Sequence, residues 1–120
     1  MTTFAAGGGP RRIDPAALEL EWEPVAPDRA VSGNPRVGAA EIAVAPGIEV
    51  GVWSHTAGVS TDVEADEVFV VLSGRATIQC ADGTVLVLGP GDVGVLPPGT
   101  QTRWTVHEDL RKVYVIRSQP

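Results

Sequence analysis

Three residues of this sequence could take part in proton transfer: one carboxylate, one lysine and one histidine. Glu67 begins the apolar run EVFVVLSG, Lys112 precedes the run VYVI, and His55 ends the run VGVWSH. An unpaired charge is costly to bury, so an inward Lys112 needs an acidic partner, for which Glu67 is the obvious choice. Such a pair could serve as general acid or base, with Lys112 or His55 as the electrostatic partner. The alternatives are a solvated Lys112 and a half-exposed, structural His55.

A second group of residues could bind a small ligand. Alternate residues of a strand face the same side, so Phe69 shares a face with Glu67, Trp53 with His55 and Tyr114 with Lys112. On a separate run, Thr102 shares a face with Trp104. The two tryptophans either fill the core or wall an apolar pocket that contains a few polar groups. Tyr114 adds a hydroxyl donor. The predicted ligand-binding residues are Trp53, Phe69, Thr102, Trp104 and Tyr114.

Other chemically capable residues have simpler interpretations. Asp62, Glu64 and Asp66 lie in an acidic run, which is typical of a solvated loop. His107 falls on the side of its run opposite Trp104, so we expect it at the surface. Cys80 has no companion histidine or acid in a recognisable pattern, so it is predicted to pack.

Short apolar runs separated by Gly- and Pro-containing turns must position these side chains. Asp82-Gly83, between two such runs, is a strong hairpin signal. No long helical pattern separates the runs, and their spacing of about ten residues predicts an all-β sandwich or barrel. The candidate strands are Val37–Val44, Glu49–Thr56, Glu67–Ser73, Arg75–Cys80, Val85–Leu88, Val93–Leu96, Thr102–His107 and Arg111–Ile116.

The N-terminal part differs in composition from the rest of the chain. Residues 1–29 are rich in Gly and Pro, which predicts a flexible or extended arm. We expect residues 1–12 to be flexible, and a short helical turn is possible at Asp14–Leu20. Residues 30–120 are predicted to form the β domain. A chain of 120 residues is long enough for one such domain.

Composition excludes several classes of protein. A single cysteine rules out an intrachain disulfide. A net charge of −6 argues against a nucleic-acid surface, which needs a basic patch. No run reaches the roughly 18 apolar residues of a membrane-spanning helix, and the N-terminus does not resemble a signal peptide. We therefore expect a cytoplasmic protein with no nucleic-acid or membrane partner.

Two segments carry a resemblance to a known superfamily. In EVFVVLSG (67–74) six residues separate a Glu from a Gly, and GDVGVLPPG (91–99) has the pattern GxxxxxPxG. In this order they resemble the two motifs of the cupin superfamily. When GVWSHTAG (51–58) and TRWTVHEDLRKVYVI (102–116) are added to these two motifs, the sequence resembles the ureidoglycine aminohydrolase-type subfamily. The resemblance implies an antiparallel cupin jelly-roll β-barrel, also called a double-stranded β-helix.

The sequence departs from the superfamily at the metal ligands. The three expected histidine positions hold other residues, and only Glu67 remains. We therefore predict no metal cofactor, and name Glu67 with His55 as the first candidate ligands if a divalent metal does bind. The histidine positions are occupied by Thr61 and Val63, or by Ser60 and Asp62 in the alternative spacing, and by Thr102.

These residues favour a small cupin protein that binds a small polar metabolite inside the barrel. A metal-independent acid/base enzyme, of isomerase or dehydratase type, would use Glu67 with Lys112 or His55. The alternatives are a non-catalytic binding or sensing module, a metal-dependent ureidoglycine aminohydrolase-like hydrolase, and an interaction protein with a filled barrel. Small barrels of this kind often pair through an exposed sheet, so we expect a homodimer.

Overall fold

The described part of the chain folds into a curled, nine-stranded antiparallel sheet. The computed structural model describes residue 4 and residues 8–118, and these contain no helix. The all-β prediction is thus confirmed. The strands are β1 (Glu21–Pro24), β2 (Ala30–Ser32), β3 (Arg36–Ala45), β4 (Ile48–His55), β5 (Gly58–Val63), β6 (Asp66–Cys80), β7 (Val85–Leu88), β8 (Val93–Leu96) and β9 (Gln101–Arg117).

Two long strands, β6 and β9, organise the sheet. The sequence predicted each as two shorter strands, but both are continuous. They pair with each other along most of their length, and irregularities of register around Gly74 bend β6. The first half of β9 also pairs with β5 and the second half with β4. Side chains from both halves of β9 therefore reach one interior.

The alternation predicted for β9 is observed. Its even-numbered residues from Thr102 to Tyr114 are buried, apart from the exposed Glu108 near the bend. On β6, Glu67, Phe69 and Val71 face inward, and the irregular register near Gly74 then restores burial at Ala76 and Ile78. The core formed by β6, β8 and β9 includes Phe69, Val71, Ile78, Leu96, Trp104 and Leu110.

Three strands were not predicted. β5 was taken as part of a turn and acidic loop, yet its six residues pair with β9. β1 and β2 are short strands that pair with β3 and β5. β1 falls within the predicted N-terminal arm, where Trp22 lies against Gly38 so closely that a Cβ there would be 2.7 Å from its ring.

Between residues 8 and 20 the chain forms one turn, at residues 15–17, and no helix. The Asp14 carboxylate accepts a hydrogen bond from the Ala16 amide, and the Asp14 carbonyl accepts one from Ala17. The guanidinium of Arg111 donates to the carbonyl oxygens of Pro15 and Leu18, which ties this segment to β9. Residues 1–3 and 5–7 of the predicted flexible arm lie outside the described residues.

We predict that Gly74→Ala destabilises the fold much more than Gly99→Ala. Both glycines have a positive φ, +86° and +81°, so both changes incur the backbone cost, about 1–2 kcal/mol. Only at Gly74 would the new Cβ meet backbone, 2.1 Å from the Asp109 carbonyl oxygen, whereas at Gly99 the space is open. Overpacking should add a further ~1–3 kcal/mol at Gly74.

Urea unfolding of the two variants measures this difference. Equal losses in the free energy of unfolding would show that β6 and β9 do not approach each other at Gly74 as described.

Candidate functional site

A cavity of about 500 Å³ opens inside the curled sheet. Strands β4, β5, β6 and β9 form its wall, and the segment from Glu23 to Arg29 closes one side. Part of the predicted N-terminal arm therefore contributes to the pocket. Six of the eight residues proposed from the sequence line the cavity: Trp53, His55, Glu67, Trp104, Lys112 and Tyr114.

Glu67 and Lys112 form a buried ion pair at the cavity wall. The Lys112 Nζ lies 2.7 Å from the Glu67 Oε2. The Glu67 side chain is only 6% exposed and the Lys112 side chain only 5%. Neighbouring strands supply them, Glu67 near the start of β6 and Lys112 in the second half of β9. Each charge offsets the desolvation of the other, which a lone buried ion could not achieve.

Three aromatic rings surround the ammonium group. Its nitrogen lies 4.4 Å from the ring centre of Trp53, 4.3 Å from that of Phe69 and 4.8 Å from that of Trp104. The faces of such rings attract a cation. Phe69 thus supports Lys112 from the core side, and its ring fits because Gly94 has no side chain: a Cβ there would lie 2.2 Å from the ring.

A second buried carboxylate, Glu64, also lines the cavity. Its Oε2 accepts hydrogen bonds from the Thr102 hydroxyl at 2.8 Å and from the Trp104 indole nitrogen at 2.9 Å. Burial raises the pKa of Glu64, and these two hydrogen bonds oppose the rise. Thr102 therefore positions Glu64 rather than lining the cavity itself.

The solvated loop predicted for the acidic run is wrong for Glu64. Its backbone forms hydrogen bonds with Gly99 and Thr100, so the turn before β9 holds this residue against the barrel. The signal available in the sequence was indirect. Inward Thr102 and Trp104 both carry donors, and a buried indole N–H usually finds an acceptor.

His55 is buried and has a partner on each ring nitrogen. Its Nδ1 lies 2.6 Å from the Thr56 carbonyl oxygen, and its Nε2 lies 2.8 Å from the Ser60 hydroxyl. A carbonyl oxygen only accepts, so Nδ1 carries the proton and, in the neutral ring, Nε2 accepts from Ser60. Burial lowers the pKa of His55, which favours this neutral form. No hydrogen bond joins His55 to Glu67 among the described residues.

Tyr114 uses its hydroxyl within the protein. The phenol donates a hydrogen bond to the Glu49 carboxylate. Burial, followed by the hydrogen bond to Glu49, raises the pKa of Tyr114, so the phenol stays protonated. The ring lies over Gly51, where a Cβ would be 2.4 Å from the hydroxyl oxygen. The Tyr114 hydroxyl, predicted from the sequence to donate to a ligand, therefore donates to Glu49 instead.

The sequence model of the EutQ-like cupin domain matches residues 46–114, more than half of the chain and all of β4 to β8. The chain belongs to the EutQ-like cupin family. This result supports the predicted superfamily and fold. A search of curated proteins finds no match.

Solved structures share the cupin fold with this chain. The Clostridium difficile EutQ protein is 20% identical, with a TM-score of 0.62 over 76% of each chain. A Rhizobium leguminosarum protein of unknown function is 28% identical, with a TM-score of 0.58 over 68% of this chain and 82% of that one. A Pseudomonas syringae protein of unknown function is 24% identical, with a TM-score of 0.74 over 87% of this chain but 46% of its own.

The residues of this cupin do not fit the superfamily's metal site. Thr102 donates to Glu64, Val63 is exposed, and the cation beside Glu67 is the ammonium of Lys112. Across residue 4 and residues 8–118, no three His, Cys, Asp or Glu side chains come together as a metal site. The absence of a metal cofactor stays a prediction. Elemental analysis showing about one Mn, Fe, Ni or Zn per chain would contradict it.

We predict that Glu64→Gln stabilises this cupin at alkaline pH more than at acidic pH. A raised pKa means that the folded chain holds the proton more tightly than the unfolded chain. The tighter binding stabilises the folded chain at pH values below the pKa of Glu64 in the unfolded chain. This stabilisation is lost as the pH rises through the pKa of Glu64 in the folded chain. Glutamine keeps an acceptor for Thr102 and Trp104 but never ionises, so its advantage should grow as the pH rises above the ordinary pKa of a glutamate.

Urea unfolding at several pH values tests this, with Glu108→Gln as the control for the loss of one exposed negative charge on β9. A difference between Glu64→Gln and the wild type that stays constant with pH would show that Glu64 is not held in a site that disfavours its charge.

Proposed function

We propose that this cupin binds a small polar metabolite in the cavity and moves a proton beside a carbonyl group, as an isomerase or dehydratase does. The observation that carries the proposal is a pair of buried glutamates in different environments within one cavity. Lys112 provides Glu67 with a counter-charge at 2.7 Å. Burial favours the protonated form of Glu64. Two carboxyl groups in such different surroundings suit the roles of base and acid.

Each glutamate has one oxygen available to a ligand. The Glu67 Oε2 contacts Lys112, and the Glu64 Oε2 accepts from Thr102 and Trp104. Among the described residues, no hydrogen bond reaches the other oxygen of either carboxylate, and no buried side-chain oxygen lacks a partner. Because both residues line the cavity, we infer that these oxygens face it.

In the proposed reaction Glu67 removes a proton from the carbon beside the carbonyl. The developing negative charge on the carbonyl oxygen is stabilised by the Lys112 ammonium. Glu64 then supplies a proton to the product, or to the hydroxyl that leaves in a dehydration. Trp53 and Trp104 provide apolar walls for the carbon skeleton, as is usual in small-ligand sites.

A non-catalytic binding module would use the same cavity. In that case Glu67 and Glu64 would accept hydrogen bonds from the ligand without exchanging protons with its carbon atoms. The ureidoglycine aminohydrolase-type hydrolase is the weaker alternative, because that reaction uses a bound metal in the subfamily and the histidine positions hold Thr61, Val63 and Thr102.

The homodimer and the cytoplasmic location stay proposals. A row of exposed valines supports the dimer: Val95 on β8, Val68 on β6 and Val115 on β9 are in register on the outer face of the sheet. Sedimentation velocity tests it, and a monomer at micromolar concentration would contradict it. The described part of the chain contains no helix that could cross a membrane.

We predict that small 2-oxo and 3-hydroxy acids and their amides include ligands that raise the melting temperature of the wild type. Glu67→Gln should abolish deuterium incorporation into the bound ligand, measured by proton NMR in D₂O. A general base contributes about 10²–10⁴-fold to rate, so the loss should reach at least about 100-fold.

Glu108→Gln, in the exposed ion pair with Arg75 between the same two strands, is the matched control and should exchange like the wild type. Binding without exchange would support the module that only binds. No stabilisation by any compound of these classes would count against the proposed substrate chemistry.

A further inference from the structure

Ser60 and His55 form a second polar unit on the cavity wall, separate from the two glutamates. His55 is the last residue of β4, and Ser60 lies on β5 beside Trp104 of β9. Both residues are buried and both line the cavity. Proton transfer by Glu67 and Glu64 has no need of either residue.

The unit contains a hydroxyl, a base and a group that orients the base. The Ser60 hydroxyl lies 2.8 Å from the His55 Nε2, and the Thr56 carbonyl holds the opposite nitrogen, Nδ1, at 2.6 Å. The carbonyl fixes the tautomer that leaves Nε2 free to accept the serine proton. A nucleophile within hydrogen-bond reach of a base that is itself oriented by a third group is the geometry of nucleophilic catalysis.

A second hydroxyl of the same barrel shows that this arrangement is not forced by burial alone. Ser54, also on β4, is as buried as Ser60, at 6% exposure. Its hydroxyl donates to the Leu110 carbonyl oxygen at 2.6 Å, which satisfies it without any base. Ser54 is also absent from the cavity lining. Of these two serines, only Ser60 combines a cavity position with a hydrogen bond to an imidazole.

We propose that Ser60 is a nucleophile, with His55 as its base, that accepts the acyl group of a small ester bound in the cavity. The serine oxygen bonds to the carbonyl carbon while its proton passes to the His55 Nε2. The ester C–O bond then breaks, and the leaving alkoxide takes the proton from His55. Water, activated by His55, releases the acid and restores the Ser60 hydroxyl.

The charges around the unit act on this cycle in opposite ways. Lys112, on the same cavity wall, disfavours a protonated His55. The carboxylate of Asp109 favours the protonated ring. Its Oδ1 accepts a hydrogen bond from the Ala57 amide, in the turn between His55 and Ser60, which keeps it near the unit.

A small alkyl fluorophosphonate tests the proposal on the whole protein. Attack by Ser60 forms an O–P bond and expels fluoride, so intact-mass and peptide analysis should find one adduct, on Ser60. Ser60→Ala should abolish the adduct and Ser54→Ala should retain it. His55→Gln should slow the reaction by at least about 100-fold, the effect of a lost general base.

A second variant keeps the proposal testable if His55→Gln does not fold, because the natural Cys80 serves as its internal control. In Ser60→Cys the introduced thiol beside His55 should react with iodoacetamide at least about ten times faster than Cys80, the single natural cysteine. No adduct on Ser60, an adduct on another residue only, or an introduced thiol that reacts more slowly than Cys80 would overturn the proposal. Because none of these readouts uses Glu67, they can fail without affecting the proposed proton transfer.

Discussion

The pairing of the two long strands and the packing of the aromatic rings in this barrel both depend on a lysine ammonium buried against a glutamate carboxylate. Lys112 and Glu67 come from different strands, so their contact at 2.7 Å requires β6 and β9 to lie side by side in one register. Their desolvation is offset by each other and by the three aromatic rings around the ammonium. Phe69 can occupy its place only because Gly94 leaves room for it.

The same pair changes what the cupin barrel can do. The Glu67 carboxylate, which would ligate a metal in the superfamily, pairs with the Lys112 ammonium instead. Thr102, at a position where the superfamily has a histidine, donates a hydrogen bond to a second carboxylate, Glu64. The interior thus contains fixed charges and hydrogen-bonding groups around a cavity of about 500 Å³. We propose that this site carries out proton transfer; beside it, the Ser60 hydroxyl lies within hydrogen-bond distance of the His55 ring.

Local patterns in the sequence predicted much of this arrangement. Alternation within each half of β9 grouped Thr102 with Trp104 and Lys112 with Tyr114, and the spans of β7 and β8 followed from short valine runs between turns. Glu64 and Ser60 were missed for one reason. Their positions depend on β5 and the turn before β9, whose contacts are long-range, while their local sequence looks like a polar loop. The two long strands were divided because their bends at Gly74 and near Glu108 interrupt the alternation.

A double-mutant cycle on Glu67→Gln and Lys112→Met tests the central ion pair most directly. Each single change leaves one buried charge unpaired, at a cost of about 3–5 kcal/mol, whereas the double change removes both charges. The double change should therefore cost less than the sum of the two single changes, and the free energies of unfolding should show a coupling of about 3 kcal/mol or more. The exposed Arg75–Glu108 pair on the same two strands, carried through Arg75→Met and Glu108→Gln, should show a much smaller one. A coupling near zero for Glu67 and Lys112 would mean that Lys112 faces water, and would contradict a buried ion pair at the centre of the barrel.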